Sequence, residues 1–245
     1  MFHPQGPTFW ELAEQALSST ERGYDLLAPK FDYTPCRTPD DVLATVAEDL
    51  ARLGPFDSAL DVCCGTGAAM RVLRPLCRRR VVGLDFSAGM LAEARRRLAD
   101  APGTAALEYV RADALAMPFA EEFDLAVSFG AFGHILLRDQ RRFLREVWRS
   151  LRPGGCFAFV TGRRPPAWSP VYWAAWGFNA AIWVRNLFVA PPFVMYYLIF
   201  SLPEVRKLLE AQGFDVEVRP TKFAWPWAGL RLIVATRRAA TCPCP

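Results

Sequence analysis

From residue 58 onward, short apolar runs alternate with longer amphipathic ones. Ser58 to Cys63 reads as a strand, and the stretch from Ala68 to Cys77 as a helix. Arg80 to Leu84 predicts a second strand. Ala88 to Leu98 predicts a second helix, with Met90, Leu91, Ala94 and Leu98 on one apolar face. Leu107 to Arg111 and Phe123 to Phe129 are further strands. Over 139–151, Phe143, Leu144, Val147 and Leu151 recur at helical spacing. Pro153-Gly154-Gly155 then turns the chain into a strand from Cys156 to Thr161. Pro203 opens a helix that reaches Gln212 and is closed by Gly213, and Phe214 to Val218 and Leu230 to Thr236 read as closing strands.

Strand–helix–strand alternation implies right-handed crossovers and a parallel sheet covered on both faces. The last two strands lack a helix between them and predict an antiparallel hairpin, joined by an irregular Trp- and Pro-rich connection over 219–229. Upstream, residues 8–53 predict two helices. With no repeat and no flexible linker, 1–245 reads as one α/β domain built on a doubly wound, seven-stranded sheet. Its parts are an N-terminal helical cap (8–53), a ligand-binding core (58–162), an aromatic lid (163–202), a C-terminal helix and hairpin (203–237) and a tail (238–245).

Composition excludes more than it assigns. The apolar fraction of 52% and mean hydropathy of +0.10 suit a buried core and exclude a disordered chain. The net charge is only +4, and all but three of the 29 basic residues are Arg, far below the density of a dedicated nucleic-acid binder. The seven Cys (36, 63, 64, 77, 156, 242, 244) form no C-x-x-C pair, so they predict buried reduced thiols and no metal site. The first 30 residues lack a charged start followed by an apolar run, which predicts no secretory leader and a cytoplasmic protein. Residues 171–200 carry a single charge, Arg185, and are long enough to span a bilayer. Arg185 at mid-segment and Pro191-Pro192 argue against a span.

The first strand runs into ALDVCCGTG (59–67). In a doubly wound sheet, ligands bind outside the carboxyl ends of the strands, and Gly65 and Gly67 let a ligand approach the backbone closely. Eighteen residues after Gly67 the second strand ends at Asp85, whose carboxylate can accept from both hydroxyls of a ribose. A dinucleotide fingerprint needs a third glycine where this chain has Met70. That bulk disfavours a pyrophosphate and a nicotinamide oxidoreductase, and favours a nucleoside without phosphates.

The runs DVCCGTG, GLDFSAGML, VRADALAMPF, FDLAVSFGAFGHI and LRPGGCFAFV, in that order, resemble the class I S-adenosylmethionine-dependent methyltransferases, a Rossmann-like group. Within that group they are most similar to the small-molecule enzymes that include quinone-biosynthesis methyltransferases, over about residues 20–162 plus the last helix and strands. The resemblance implies S-adenosyl-L-methionine as cofactor, with Asp61 and Gly65-Thr66-Gly67 around its methionine part and Asp85 on its ribose. It places Phe86 and Met90 beside the adenine, Asp113 (between Ala112 and Ala114) on the adenine amino group, and Ser128 at the floor. Cys63 departs from the family's usual glycine, and a small side chain still fits. Plainer roles stay open: Asp61 as a turn cap, Asp85 as a helix cap, and Asp113 as a turn former before Met117-Pro118.

For the acceptor, His134 follows the fourth strand as either a base or a structural helix-start residue. Tyr24 and Tyr33 resemble the aromatic N-terminal helix that closes over the site in this family. Phe129, Phe132, Trp173 and Trp176 are further candidates to touch the acceptor. Missing motifs after the fourth strand disfavour adenine, glutamine, cytosine and metal-dependent catechol methylation, and nothing reads nucleic acid. The aromatic lid holds Trp168, Trp173, Trp176 and Trp183. It can cover an apolar pocket, lie peripherally on a membrane or form a homodimer contact. Arg141, Arg145, Arg149 and Arg152 stripe one helix, as a solvated face or an attraction to anionic lipid. The sequence therefore favours methyl transfer to an O, N or C atom of a lipophilic small molecule. A membrane-surface lipid methyltransferase and a non-catalytic S-adenosylmethionine-binding or interaction protein are the alternatives.

Overall fold

A computed structural model describes residues 3–34, 37–162 and 164–239. Cys36, Cys242 and Cys244, and the tail from 240 on, lie outside the described residues. Seven strands form one sheet: β1 (Phe56–Val62), β2 (Cys77–Asp85), β3 (Ala106–Arg111), β4 (Phe123–Ser128), β5 (Leu151–Gly162), β6 (Phe214–Val218) and β7 (Leu230–Arg237). Their order is β3-β2-β1-β4-β5-β7-β6, parallel except that β7 runs antiparallel to both β5 and β6. The order reverses between β1 and β4, which is where a doubly wound sheet opens a crevice.

The strands are apolar on both faces because both are covered. Ala59, Val81, Leu125 and Ala158 point to the side of α3 (Asp40–Ala51), α4 (Ala68–Leu73) and α5 (Ala88–Arg97). Leu60, Val82, Ala126 and Phe157 point to α6 (Gln140–Ser150) and α8 (Leu202–Gln212). Met70, at the position of the missing third glycine, is fully buried on α4. It lies over Gly83 of β2, where an added Cβ would stand 2.4 Å from its Sδ.

Local chemistry moves several predicted boundaries. The cap holds three helices rather than two: α1 (Phe9–Leu17), α2 (Thr20–Leu27) and α3, with a 3₁₀ turn over Ala28–Tyr33. Thr8 and Glu11 form a capping box on α1, and Ser19 caps α2 by accepting from the Arg22 N–H, so the Ser-Ser pair divides what reads as one helix. The helix predicted to reach Cys77 stops at Leu73, a 3₁₀ turn carries Pro75, and Cys77 opens β2. β5 begins at Leu151, so the Pro153-Gly154-Gly155 turn is absorbed as an irregularity in the β4–β5 register. In the aromatic segment, α7 (Pro170–Phe188) ends before Pro191-Pro192. Among the described residues no helix is long and apolar enough to cross a membrane. The Arg stripe is partly engaged, since Arg149 donates to Met117 O and to Glu146 and Arg152 pairs with Asp124.

Gly83→Ala is expected to lower stability by about 1–3 kcal/mol through overpacking against Met70. Urea unfolding of Gly83→Ala, Met70→Ala and the double variant should show a non-additive pair, because the new methyl and the thioether contend for one space.

Candidate active site

β1 delivers the chain into the crevice, and the loop that follows must reverse within five residues to start α4. It does so with left-handed backbone at Cys63 (φ 59), Gly65 (φ 53) and Gly67 (φ 83). Gly67 is enforced by packing as well, since a Cβ there would meet Leu98 Cδ1 at 2.6 Å. The reversal turns the Gly65 N–H onto Asp85 Oδ2 at 2.9 Å, while Asp85 Oδ1 accepts from the Ser87 N–H at 2.9 Å. Each carboxylate oxygen retains a lone pair for a further donor.

The cap closes this loop pair from above. Asp25 on α2 accepts from Ser87 Oγ at 2.6 Å and from the Gly89 N–H at 2.8 Å. Asp32 accepts from Thr66 Oγ1 at 2.6 Å and from Arg97 at 2.7 Å. A cavity of about 270 Å³ lies between cap, loops and lid. Asp61, Cys63, Gly65, Thr66, Asp85, Phe86 and Met90 line one end of it, and Phe129, His134 and Tyr24 the other. A second cavity of about 360 Å³ adjoins it beyond β5 and shares His134, Gly130, Met195 and Tyr197.

Two carboxyls stand buried here. Burial, with Asp85 nearby, pushes the Asp61 carboxyl well above the usual carboxylate range, against a smaller opposing effect of the Met70 backbone N–H. Its Oδ2 meets no hydrogen-bond donor among the described residues. Asp85 is also raised by burial, opposed by its backbone N–H donors. Burial likewise pushes up the Cys63 and Cys64 thiols, so they stay protonated. At the far end, Tyr24 Oη lies 2.8 Å from His134 Nε2, and His134 Nδ1 lies 2.5 Å from Val194 O. Burial lowers the His134 pKa below the ordinary 6.5 and keeps the ring neutral at pH 7.

Other predicted residues stand elsewhere. Gly67 backs onto α5, and Ser128 Oγ donates to Val62 O, tying β4 to β1 beneath the cavity. Ala112, Asp113 and Ala114 lie beyond β3 and off the cavity walls, and Asp113 Oδ1 accepts from the Leu115 N–H as a turn former. Tyr33 stacks on His3 at 4.8 Å, away from the cavity. Phe132 is core, stacked on Phe200 at 3.8 Å, and reaches only the second cavity. Trp173 and Trp176 are exposed and line neither cavity. The reason is that α7 turns Asn179, Ile182, Arg185 and Asn186 inward, where the polar three bind backbone carbonyls.

Sequence reasoning missed Asp25, Asp32, Phe31, Arg37, Met195 and Tyr197. The acidic residues look like ordinary helix-surface charges, and Arg37 follows a turn. The one available signal was the density of charge in a cap that also carries Tyr24.

A family model described as a methyltransferase domain matches residues 59–155. A 2-phytyl-1,4-naphtoquinone methyltransferase of Thermosynechococcus vestitus is 40% identical over 122 residues, 49% of this chain and 52% of that protein. A demethylmenaquinone methyltransferase of Chlamydia caviae is 30% identical over 160 residues, 62% of this chain and 64% of that one. The chain thus spans between half and two thirds of these relatives' lengths. Among solved structures, a DhpI–SAH complex superposes with a TM-score of 0.65 at 21% identity, covering 94% of this chain and 99% of that one. Magnesium protoporphyrin IX methyltransferase of Synechocystis PCC 6803 with bound SAH gives 0.55 at 17%, covering 81% and 82%. At such identities these structures establish the fold, which is the Rossmann-like one.

The raised Asp61 pKa has a definite sign. Its contribution to stability is present below the ordinary value of 3.8 and is lost as pH rises through the elevated folded value. Urea unfolding at stepped pH should show Asp61→Asn losing less stability over that window than the wild type does. By sequence, residues 59–155 of this chain are similar to a methyltransferase domain.

Proposed function

We propose that this protein transfers a methyl group from S-adenosyl-L-methionine to an O, N or C atom of a lipophilic, quinone-like small molecule. The observation that carries the reading is the buried Asp61 oxygen without a donor, in a cavity that also presents Asp85. A buried carboxylate is costly unless a cation satisfies it, so the site asks for an ammonium group. Asp85, with lone pairs to spare, suits a vicinal diol about one loop away. Phe86 and Met90 offer apolar walls to a flat ring. Ammonium, diol and flat base together describe the donor, and the residues present fit it.

Bound there, the donor supplies an electrophilic methyl whose S–C bonding pair stays with sulfur. The chain's own work is positioning and proton transfer. Neutral His134 holds a lone pair on Nε2, and Tyr24 bridges it to the acceptor end of the cavity. The second cavity, with Phe132, Val160, Met195 and Ile199 on its walls, accommodates a flat apolar acceptor beside His134. The names of the relatives at 40% and 30% identity point the same way, toward naphthoquinone-type acceptors.

A second reading is methylation of a lipid at a membrane surface. It is favoured by the outer face of the lid, where Trp168 (86% exposed) just before α7 and Trp173, Trp183 and Phe188 (82% exposed) on it face outward, while the helix's one charge, Arg185, is bound to backbone carbonyls. Trp rings of this kind suit the membrane–water boundary. Co-sedimentation with phosphatidylcholine vesicles that is lost on Trp168→Ser/Phe188→Ser would favour it over a soluble acceptor.

Calorimetric titration with S-adenosylhomocysteine tests the principal reading. Micromolar binding is expected, weakened roughly ten- to hundredfold in Asp85→Ala through two lost hydrogen bonds. No binding by the folded wild type overturns it. In turnover, kcat/KM should fall on acidification with an apparent pKa below 6.5, because burial favours the neutral, competent imidazole. His134→Gln should abolish that acid limb.

A further inference from the structure

Three groups from two elements, α2 and the segment after α7, surround His134. Thr20 Oγ1 accepts from the Val194 N–H at 2.8 Å. Val194 O faces His134 Nδ1 at 2.5 Å, and Tyr24 Oη faces His134 Nε2 at 2.8 Å. Thr20 and Tyr24 sit four residues apart on α2, so one helix face reaches the imidazole at both nitrogens, directly at Nε2 and by way of residue Val194 at Nδ1. A carbonyl oxygen can only accept, so Nδ1 must carry the ring hydrogen; Nε2 of the neutral ring then only accepts, and Tyr24 must donate. The tautomer is thus dictated by where the Val194 carbonyl points, and Thr20 restrains Val194 by holding the N–H of the same residue.

We infer that Thr20 is a positioning residue that, by anchoring Val194, sets the tautomer of His134 and so makes the base competent only when the N-terminal cap and the segment after α7 are docked together. The inference rests on the proposed methyl transfer for its kinetic part, and on geometry alone for its tautomer part. Its proton inventory closes. The acceptor's proton passes to Tyr24 Oη as Tyr24's own proton passes to His134 Nε2, the Nδ1–H stays on Val194 O, and the acceptor atom keeps the electron pair that bonds to the methyl.

The surroundings hold the ring of contacts in place. Asn186 pins the residue before Val194, accepting from the Phe193 N–H and donating to Phe193 O, each at 2.9 Å. Arg185 donates to Ala16 O and Ser18 O on the cap side, and to Pro191 O on the lid side, at 2.7–2.8 Å. The elements bearing Thr20 and Val194 are therefore stapled together by neutral acceptors, independently of pH. Titratable or charged groups on the walls of the first cavity are Tyr24 and Arg37 from the cap, Asp61, Cys63 and Cys64 from the end of β1, and Asp85 from β2. The lid side adds Arg164, Tyr196 and Tyr197.

The test compares Thr20→Val, which keeps the shape and removes the oxygen, with Thr20→Ser, which keeps the oxygen. The chain has two His, so a His3→Ala background with ¹⁵N-labelled histidine isolates the His134 ring in NMR spectra of the full chain. The wild type and Thr20→Ser should show the Nδ1–H tautomer, and Thr20→Val a mixture with Nε2–H. With a prenylated 1,4-naphthohydroquinone as acceptor, Thr20→Val should lose about tenfold or more in kcat with an altered acid limb. Its S-adenosylhomocysteine affinity should stay within about twofold, and Thr20→Ser should restore the rate. An Nε2–H ring in the wild type, or an unchanged tautomer in Thr20→Val, overturns the inference. Thr20→Ala, which also lacks the hydroxyl, gives the same reading if valine prevents folding. Should the wild type fail to bind S-adenosylhomocysteine, the methyl-transfer reading falls, while the NMR result still decides the tautomer.

Discussion

The Asp85 carboxylate is the tie on which the site depends. By accepting from the Gly65 and Ser87 N–H groups it joins the glycine-rich loop after β1 to the loop after β2, two segments that meet only because β1 and β2 are neighbours in the sheet. The left-handed turn at Gly65 aims its N–H at that carboxylate, and the packing of Met70 over Gly83 holds α4 close enough for the turn to close. Asp25 and Asp32 then fasten the cap to the same two loops through Ser87 and Thr66. One set of carboxylates therefore both forms the ligand cavity and fixes its cover.

That arrangement concentrates unfavourable energy where a ligand binds. Burial raises both carboxyls, Asp61 also through the nearby Asp85 charge, and the fold supplies Asp85 with backbone donors while leaving Asp61 Oδ2 without one among the described residues. Burial without compensation is retained where a ligand completes the hydrogen bonding. The opposite end is fully paired. His134 is held at both nitrogens, and desolvation keeps it neutral and able to accept a proton. The first cavity thus joins a buried carboxyl whose Oδ2 lacks a donor among the described residues, on Asp61, to a neutral imidazole paired at both nitrogens, on His134.

The lid shows how polar groups decide the orientation of an apolar helix. α7 carries aromatic residues nearly all round, so burial of apolar area does not choose a face. Arg185, Asn179 and Asn186 do choose, because each finds backbone carbonyls on the protein side. The tryptophans are left outward, which is why Trp173 and Trp176 are absent from the cavities although their composition suggested a pocket lining.

The sequence by itself determined the sheet, its doubly wound order of elements and a group of residues that line the first cavity. Strand and helix periodicities are local, and Asp61, Gly65, Thr66, Asp85, Phe86 and Met90 occupy fixed places at the ends of two adjacent strands, so chain spacing alone brings them together. The exact ends of α4 and β5 were less legible, because Pro75 and the Pro153-Gly154-Gly155 turn act on a backbone whose pairing is set by neighbouring strands. Only the tertiary structure decided the surroundings of His134. Tyr24 and His134 are 110 residues apart, Thr20 and Val194 are 174 apart, and no periodicity records such a meeting. It also set Tyr33 against His3, off the first cavity, and stacked Phe132 on Phe200 where it lines the second cavity, because side-chain direction there follows the docking of whole elements rather than the local pattern.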